Sequence, residues 1–318
     1  MTSFSHIYKD ILTRVISCKS ELNARTKTNI KVIPGTVFFQ IYLSEGLLPV
    51  AGNRAYFPHI AAAEAAWQTQ GTRNADFIMQ QAPKLWSKFR DDHGEVPTAY
   101  GHRWGKAFGR DQVQLAINAL RADPSNRQVW VQAWDPRVDG LGEPNQPANI
   151  PCPIGFSLNI QGGKLCMAVF VWSSDLFVGL PYDVMCYALT LDMIATELQV
   201  APGTMSFTLA HAHLYESHWQ AAEISLGQFV TENLFRRDTD KIVEDLNIPT
   251  GKIPDIQTSS QAIEAVSLWK YPANIEPRLP VWPWSMVQQQ PEAYVDMVKN
   301  LTMRVSKHTW NYKPEVVV

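Results

Sequence analysis

Apolar residues recur at helical spacing in several long stretches of the chain. The helices that this spacing predicts are Tyr8–Leu22, His59–Gln70, Asp111–Ala122, Tyr182–Val200 and His218–Leu226. The stretch Tyr182–Val200 is the most regular, because Val184, Leu191 and Leu198 help to form one apolar face along its whole length. Such a face needs an apolar packing partner, so we expect this helix to contribute to a folded core.

Strands are predicted where β-branched and aromatic residues alternate with other residues. These strands are Val37–Leu43, Gln128–Trp134, Phe156–Ile160, Lys164–Trp172 and Met205–Tyr215. The turn Gln161–Gly163 makes the third and fourth strands a predicted hairpin. The stretch Asp135–Pro151, rich in Gly, Pro and Asn, predicts a loop. No repeat or clear linker divides the sequence, so the pattern predicts an α+β fold in a single domain spanning residues 1–318.

Composition and charge exclude several classes of protein. Hydrophobic residues make up 46% of the 318 residues and charged residues 18%, which is typical of a globular chain rather than a disordered one. The net charge of −2 supplies no basic surface, so we expect no nucleic-acid partner. The longest apolar run, Leu165–Trp172, is far shorter than the roughly 20 residues of a membrane helix, so we expect no membrane association either.

The cysteines and the N-terminal segment indicate the compartment. The first residues carry charges at short intervals instead of the apolar run of a secretory signal. Four cysteines are present, without the spacing of a disulfide framework or a metal site. We therefore expect reduced thiols, no metal, and a cytoplasmic protein, in the host cytoplasm if the chain is phage-encoded.

Cys152 is the first candidate for chemistry. Pro151 and Pro153 flank it and fix the backbone at the end of the long predicted loop, which favours an accessible thiol over one inside a helix. A small buried residue is the alternative, since free cysteine is often buried. His211, His213 and His218 leave two further alternatives open, a cysteine hydrolase with a histidine base or a metal enzyme.

Two carboxylates are further candidates. Glu64 lies within an Ala-rich helix, where burial would raise its pKa and suit it to proton handling; the alternative is a surface glutamate. Asp183 stands at the predicted start of the apolar helix, where it is either an N-cap, a carboxylate facing a pocket, or both.

Several motifs occur together in one order along most of the chain. They are Arg25-Thr26, Ala63–Thr72 with Glu64, Leu85-Trp86, Tyr100–Trp104, Asp111–Arg127, Pro151-Cys152, Ser173–Asp175, Gly179–Asp183, His213–Tyr215 and Tyr312–Val318. In type and order they resemble the motifs of the thymidylate synthase family. This resemblance implies a mixed β-sheet with a long buried central helix and a homodimer formed through the sheet faces.

The resemblance also implies a reaction and a role for each motif. A cysteine thiolate adds to C6 of a pyrimidine nucleoside monophosphate, and C5 then takes a one-carbon unit from 5,10-methylenetetrahydrofolate, the co-substrate. The implied catalytic residues are Cys152, Glu64, Tyr100 and Asp183, with Cys152 activated by nearby arginine charge. The implied nucleotide-binding residues are Arg25, Arg127 (contributed across the dimer interface), Ser173, Asp183, His213 and Tyr215. The implied folate-binding residues are Trp86, Asp175, Gly179 and the carboxylate region of Val318.

Departures from the family pattern concern the base. Asp183 replaces the asparagine with which the family contacts uracil, and Pro153 replaces the histidine that usually follows the nucleophile. A carboxyl group suits N3 and the 4-amino group of cytosine, and unpaired acceptors against uracil would cost about 1–3 kcal/mol. This resembles the deoxycytidylate (dCMP or CMP) 5-hydroxymethylase branch. The alternatives are C5 methylation of dCMP or dUMP, and a nucleotide-binding member with reduced catalysis.

Further departures concern the phosphate. Gln128 and Trp172 stand where the family has arginines, and each lost charge-assisted contact is worth roughly 1.5–3 kcal/mol. Either other basic residues, such as Arg103 or Lys27, compensate, or the 5′ group is held differently.

Overall fold

The computed structural model describes residues 4–43, 46–51, 57–140, 142, 149–226 and 279–306, with side chains to residue 299. The helices are α1 (Phe4–Ile16), α2 (Pro58–Thr69), α3 (Asp76–Gln81), α4 (Pro83–Trp86), α5 (Tyr100–His102, continued by a π-helical turn at Arg103–Ala107), α6 (Gln112–Ala122), α7 (Gly179–Glu197), α8 (219–226), α9 (Trp284–Gln289) and α10 (Pro291–Ser306). Together with the strands they confirm the predicted α+β class.

The strands form two mixed sheets. They are β1 (Ser20–Asn23), β2 (Thr28–Val32), β3 (Val37–Tyr42), β4 (Trp130–Gln132), β5 (Pro153–Gln161), β6 (Lys164–Val171), β7 (Ser174–Asp175), β8 (Ala201–Leu209) and β9 (Ala212–Tyr215). A four-stranded sheet has the order β1-β2-β9-β7, and a five-stranded sheet has the order β3-β8-β6-β5-β4. The pairs β6–β8 and β7–β9 are parallel, and the other pairs are antiparallel.

Helix α7 is the centre of the core. Nearly every residue from Leu180 to Ala195 is buried, because α2 packs on one side of the helix and strands β6 and β8 pack on the other. A helix that is apolar all round is stable only when it is enclosed in this way. Helix α2 is buried on all its faces too, from Ala61 to Thr69, so these two helices bring their polar residues into the interior.

Several predicted elements have different bounds in the structure, and three of the differences affect the site or its surroundings. Helix α1 ends at Ile16, and Ser20–Asn23 is a strand rather than the end of that helix. Helix α7 begins at Gly179, three residues before the predicted start, since Pro181 falls in the first turn, where a missing backbone N–H costs nothing. The predicted strand Met205–Tyr215 is two strands, β8 and β9, in different sheets.

The break between β8 and β9 coincides with a break between β6 and β7. The backbone N–H of Ala210 donates to the carbonyl of Val171 at 2.9 Å, and that of Ser174 donates to the carbonyl of His211 at 2.9 Å. The segment after β6 and the segment after β8 therefore leave the five-stranded sheet side by side and enter the four-stranded sheet. This double bend opens a space at the junction of the two sheets.

One face of the five-stranded sheet is not covered by any described helix. Its aromatic residues, here called the open sheet face, are Phe38, Tyr42, Trp130 and Phe170, and Phe38 is 60% exposed. The ring centroids of Trp130 and Phe170 lie 5.5 Å apart. The Trp130 ring also covers Gly155, where a Cβ would lie 2.6 Å from that ring. Among the described residues, no helix is long and apolar enough to cross a membrane.

Candidate active site

A cavity of about 420 Å³ occupies the junction of the two sheets. The residues that line it are Asn23, Arg25, Trp172, Ser173, Ala210, His211, His213 and Tyr215. They come from the β1–β2 turn, from the two bends that leave the five-stranded sheet, and from β9. The volume lies within the range of small-molecule sites. The cavity contains four of the residues that the sequence assigned to nucleotide binding, namely Arg25, Ser173, His213 and Tyr215.

Cys152 precedes β5 directly, and hydrogen bonds fix its backbone on both sides. Its carbonyl accepts from the N–H of Trp172 at 2.7 Å, and its N–H donates to the hydroxyl of Tyr100 at 3.5 Å. Pro153 is tolerated because it is the first residue of its strand. Cys152 is half-buried rather than a fully buried core residue. It is not among the lining residues of the cavity, but the charge of Arg25, which is, acts on its thiol.

The thiol of Cys152 does not ionise readily in this environment. Burial, followed by the negative charge of Asp183, raises its pKa to about 12, although the Arg25 guanidinium acts in the opposite direction. Arg25 acts on the thiol in the expected direction, but burial and the carboxylates outweigh it in the unliganded site. The carboxylates oppose the formation of the thiolate more strongly than the arginine favours it.

Asp183 lies one turn inside α7, so it is not the N-cap of that helix, which is Val178. A Cβ at Gly179 would lie 3.7 Å from Oδ2 of Asp183 and 3.7 Å from Cβ of Asp175, which brings these three residues together. Burial and then the charge of Asp175 raise the pKa of Asp183 to about 7. Its carboxyl group has no hydrogen-bond partner among the described residues, so it is available to a ligand.

Asp175 shapes the entry to α7. Its Oδ1 accepts from the backbone N–H of Phe177 at 2.9 Å and of Val178 at 3.2 Å. These bonds use one carboxylate oxygen and leave the other for a ligand. Asp175 is also paired with His213 in the register of β7 and β9, which connects the start of α7 with the cavity.

Glu64 is buried, which confirms the prediction of a buried carboxyl group on α2. Burial raises its pKa to about 8, although the indole N–H of Trp86, at 2.9 Å from Oε1, lowers it. This hydrogen bond places Trp86 beside Glu64. The resemblance had implied only a folate contact for Trp86. Gly101 brings α5 and Tyr100 close to α2, because a Cβ there would lie 2.5 Å from Cα of Gln68.

The turn between β1 and β2 presents Arg25. The side-chain oxygen of Asn23 accepts from the N–H of Arg25 at 3.1 Å and from the N–H and the hydroxyl of Thr26, at 3.0 and 3.1 Å. Arg25 also makes a side-chain hydrogen bond with Tyr215. The sequence did not single out Asn23, although an Asn two residues before a functional Arg is a recognisable turn signal.

His211 is a second cavity residue to which the sequence gave no role in nucleotide binding. Its Nδ1 lies 3.3 Å from Nδ1 of His213, and the rings are 5.2 Å apart. His213 is buried, and burial lowers its pKa, so the neutral imidazole is favoured. The period-two pattern placed both histidines on one face of one strand, but it did not reveal that the chain bends between them.

The other predicted basic residues lie elsewhere. Arg103 is buried and bonds both oxygens of Asp139, at 3.0 and 3.1 Å, so the idea that it compensates for a lost phosphate contact is wrong. Lys27 is exposed in the β1–β2 turn and does not line the cavity. Arg127 is exposed in the turn after α6 and contacts no residue of the site within the described part of the chain. Val318 lies outside the described residues.

No group of three or more metal-ligating side chains is found among the residues that the structure describes. A cysteine, two protonatable carboxyl groups and an arginine-bearing cavity instead surround the start of α7. The model of one protein family, described as thymidylate synthase, matches residues 6–261, which is most of the chain and includes every residue that lines the cavity. The chain belongs to the thymidylate synthase family, whose members transfer a one-carbon unit from methylenetetrahydrofolate to C5 of a pyrimidine nucleotide.

Proposed function

We propose that this protein hydroxymethylates C5 of a cytosine nucleotide, dCMP or CMP, with 5,10-methylenetetrahydrofolate as the one-carbon donor. The observation that carries the proposal is the carboxyl group of Asp183, which is unpaired among the described residues and has a pKa of about 7. It lies beside Gly179, and its charge acts on the thiol of Cys152. A carboxyl group at this position can donate a proton as well as accept one.

Cytosine fits a protonated Asp183 better than uracil does. The carboxyl O–H donates to N3 of cytosine, and the carbonyl oxygen accepts from the 4-amino group, so both groups are paired. N3 of cytosine is a base, whereas O4 of uracil is only a weak acceptor. The proton of Asp183 therefore stabilises bound cytosine more than bound uracil. An ionised Asp183 would face O4 of uracil with no proton between the two oxygens.

The same proton helps the sulfur to react. When the thiolate of Cys152 bonds to C6, the electron pair of the C5–C6 double bond shifts to C4–C5 and the pair of the C4–N3 double bond moves onto N3, so N3 gains basicity. Asp183 transfers its proton towards N3 as this charge develops. Bound base also keeps Asp183 protonated before the attack, which removes one of the charges that oppose ionisation of the thiol and leaves Arg25 to favour it.

Glu64 is proposed to handle the proton at C5. The folate supplies the one-carbon unit, and once C5 has bonded to it, the hydrogen on C5 must leave as a proton. A carboxyl group with a pKa of about 8 takes up and releases a proton near neutral pH, and the indole of Trp86 fixes its position. Tyr100 holds the backbone of Cys152 on the same side of the site.

The cavity supports the remaining nucleotide contacts, and the family resemblance supports the folate contacts. Arg25 and Ser173 are proposed to hold the phosphate, and His213 and Tyr215 the sugar hydroxyl. Asp175 and Gly179 are proposed to face the folate, together with the indole of Trp86 and the segment at Val318.

A homodimer completes the proposal. The open sheet face exposes several large aromatic side chains, and an exposed apolar patch of this kind is typical of an interface. Arg127 is exposed and outside the cavity of its own chain, so it is free to reach the phosphate of a neighbouring subunit. The two observations support a dimer in which Arg127 is shared across the interface.

Product analysis tests the reaction. The protein is incubated with methylenetetrahydrofolate and either dCMP, CMP or dUMP, and the products are weighed by mass spectrometry. We expect a hydroxymethylated cytosine nucleotide, formed by addition of water, with no rise in dihydrofolate absorbance. A methylated product accompanied by dihydrofolate would instead establish reductive methylation, and product from dUMP alone would contradict the assignment of cytosine.

A further inference from the structure

We propose that His211 is a phosphate-binding residue of this site, donating from Nε2–H to the 5′-phosphate of the nucleotide. The inference rests on the proposed function, since it concerns the same cavity and its ligand. His211 lines the cavity and is adjacent to Ser173: the N–H of the next residue, Ser174, donates to the carbonyl of His211.

The cavity is poor in fixed positive charge. Among its eight described lining residues, Arg25 is the only arginine or lysine, and it already has a hydrogen bond with Tyr215. A 5′-phosphate carries about −1.5 to −2 charges at neutral pH and has three acceptor oxygens. One guanidinium and one serine hydroxyl leave part of this acceptor capacity unpaired, so a further donor is needed.

The hydrogen bonds between the histidines determine where their protons lie. Nδ1 of His213 is 3.3 Å from the carbonyl oxygen of His211 and 3.3 Å from Nδ1 of His211. A carbonyl oxygen can only accept, so the proton lies on Nδ1 of His213. Nδ1 of His211 then faces a donor and is itself the acceptor.

This assignment fixes the opposite side of each ring. With Nδ1 of His211 as the acceptor, the ring proton of His211 is on Nε2, and the neutral ring of His213 has none on Nε2. Nε2–H of His211 is a donor with no partner among the described residues, which suits an oxyanion. Nε2 of His213 is an acceptor, which suits a sugar hydroxyl. The two histidines thus present complementary groups to neighbouring parts of one nucleotide.

Two substitutions separate the roles of the two ring nitrogens. His211→Asn keeps an oxygen near the Nδ1 position, where it can accept from His213, but has no donor at the Nε2 position. His211→Gln places an amide N–H near the Nε2 position. Dissociation constants are measured by calorimetry for dCMP and deoxycytidine, and for dUMP and deoxyuridine, with thermal unfolding as a check on the fold.

We expect His211→Asn to weaken dCMP binding by about tenfold or more, to leave deoxycytidine binding nearly unchanged, and His211→Gln to retain most of the dCMP affinity. Equal weakening of nucleotide and nucleoside by His211→Asn would overturn the proposal, because the residue would then act only through His213. Unchanged dCMP binding in His211→Asn would overturn it as well.

The proposed function is tested separately in the same titrations. It depends on the preference for cytosine over uracil, whereas the role of His211 depends on the ratio of nucleotide to nucleoside affinity for whichever base binds. Preference for uracil would contradict the proposed substrate, and the affinity ratio for dUMP and deoxyuridine would then decide the role of His211. Failure of the wild type to bind any of the four ligands would overturn both.

Discussion

At the scale of single residues, the chemistry depends on protons that burial keeps in place. Cys152, Glu64 and Asp183 all have raised pKa values, and burial is the main cause for each. The unliganded site is therefore mostly protonated at neutral pH, and its reactive forms arise only when a ligand supplies new partners. A thiol with a pKa of about 12 in the unliganded site can therefore still be the nucleophile, because the bound ligand changes its surroundings before the reaction.

Asp183→Asn tests the base-contacting carboxyl group. Because the pKa of Asp183 is raised to about 7, its proton is present below that pH and is lost as the pH rises through it. Wild-type kcat/KM for dCMP should therefore fall as the pH rises through about 7. In Asp183→Asn we expect that part of the pH dependence to vanish, and the preference for dCMP over dUMP to drop by about 10- to 100-fold.

The measurement is kcat/KM for both nucleotides between about pH 6 and pH 9. Asp192→Asn is a matched control, since Asp192 is another buried carboxyl group of α7 with a raised pKa, but it accepts from the backbone N–H of Val281 and does not lie beside Gly179, as Asp183 does. An unchanged base preference in Asp183→Asn would contradict the role given to this residue.

At the scale of elements, the site is built where strands leave one sheet for another. The bends after β6 and β8 supply Trp172, Ser173 and His211, and the β1–β2 turn supplies Arg25. Helix α7 supplies Asp183 from its second turn because Gly179 and Pro181 are part of the helix. The position of each functional group is therefore set by a break or a start of an element.

Asn23→Ala tests the turn that presents Arg25. The substitution removes the oxygen that accepts three hydrogen bonds within residues 23–26, so Arg25 should lose its fixed position. We expect nucleotide affinity to fall by about tenfold, with a small loss of stability, as measured by calorimetry and thermal unfolding.

Asp91→Ala is the control for that experiment. Its carboxylate also holds a turn, accepting from the N–H groups of His93 and Glu95, but the turn does not line the cavity. Nucleotide affinity should be unchanged in this variant. An equal loss in both variants would mean that the effect of Asn23→Ala is a general one.

Asp192→Asn tests the contact between α7 and the segment before α9. The pKa of Asp192 is raised to about 6 by burial, so the stability that its proton provides is present below its unfolded pKa of 3.8 and is lost as the pH rises through 6. Asn keeps an acceptor for the N–H of Val281. We expect the variant to exceed the wild type in unfolding free energy at pH 8, by at most about 3 kcal/mol.

Urea denaturation at pH 5 and pH 8 measures this difference. Asp10→Asn, on the exposed side of α1, serves as the control and should leave the pH dependence as it is in the wild type. If Asp192→Asn lost stability equally at both pH values, the ionised carboxylate would not be the source of the cost.

The sequence predicted the helices and strands better than it predicted the cavity. Helices α2 and α7 are apolar over long stretches, and local features together with the order of the motifs named Cys152, Glu64 and Asp183 as candidates. The division of Met205–Tyr215 was missed because period-two alternation continues through the bend, and a local pattern does not say to which sheet a residue belongs. His211 was named only for the hydrolase and metal alternatives, because long-range pairing of β9 with β2 and β7 is what brings its segment to the cavity. Asn23 was missed although its turn signal is local.

At the scale of the whole molecule, the proposal completes the site with a residue of a second subunit. The described residues around the cavity include one arginine, and Arg127 is exposed outside it. A dimer formed through the open sheet face would cover the exposed aromatic residues and supply the missing charge together. The dimer would then explain both the low positive charge of the phosphate site in one chain and the exposure of its open sheet face.

Subunit complementation tests this arrangement. Cys152→Ala and Arg127→Ala chains are each expected to be nearly inactive, because each lacks one part of every site. Random mixing should restore about one quarter of the wild-type activity, since half of the dimers are mixed and each mixed dimer has one intact site. Activity is assayed after unfolding and refolding the two chains together, with each variant refolded alone as the control. No recovery would place Arg127 in the site of its own chain or outside the site altogether.

The most direct test of the account follows tritium placed at C5 of the pyrimidine ring. Tritium leaves C5 only after a nucleophile has added at C6 and C5 has formed its new bond, so its release into water reports the step assigned to Cys152 and Asp183. With methylenetetrahydrofolate present, we expect release from labelled dCMP in clear excess over labelled dUMP, and none from either with Cys152→Ala. Release that persists without the thiol, or that occurs from dUMP and not from dCMP, would contradict the account.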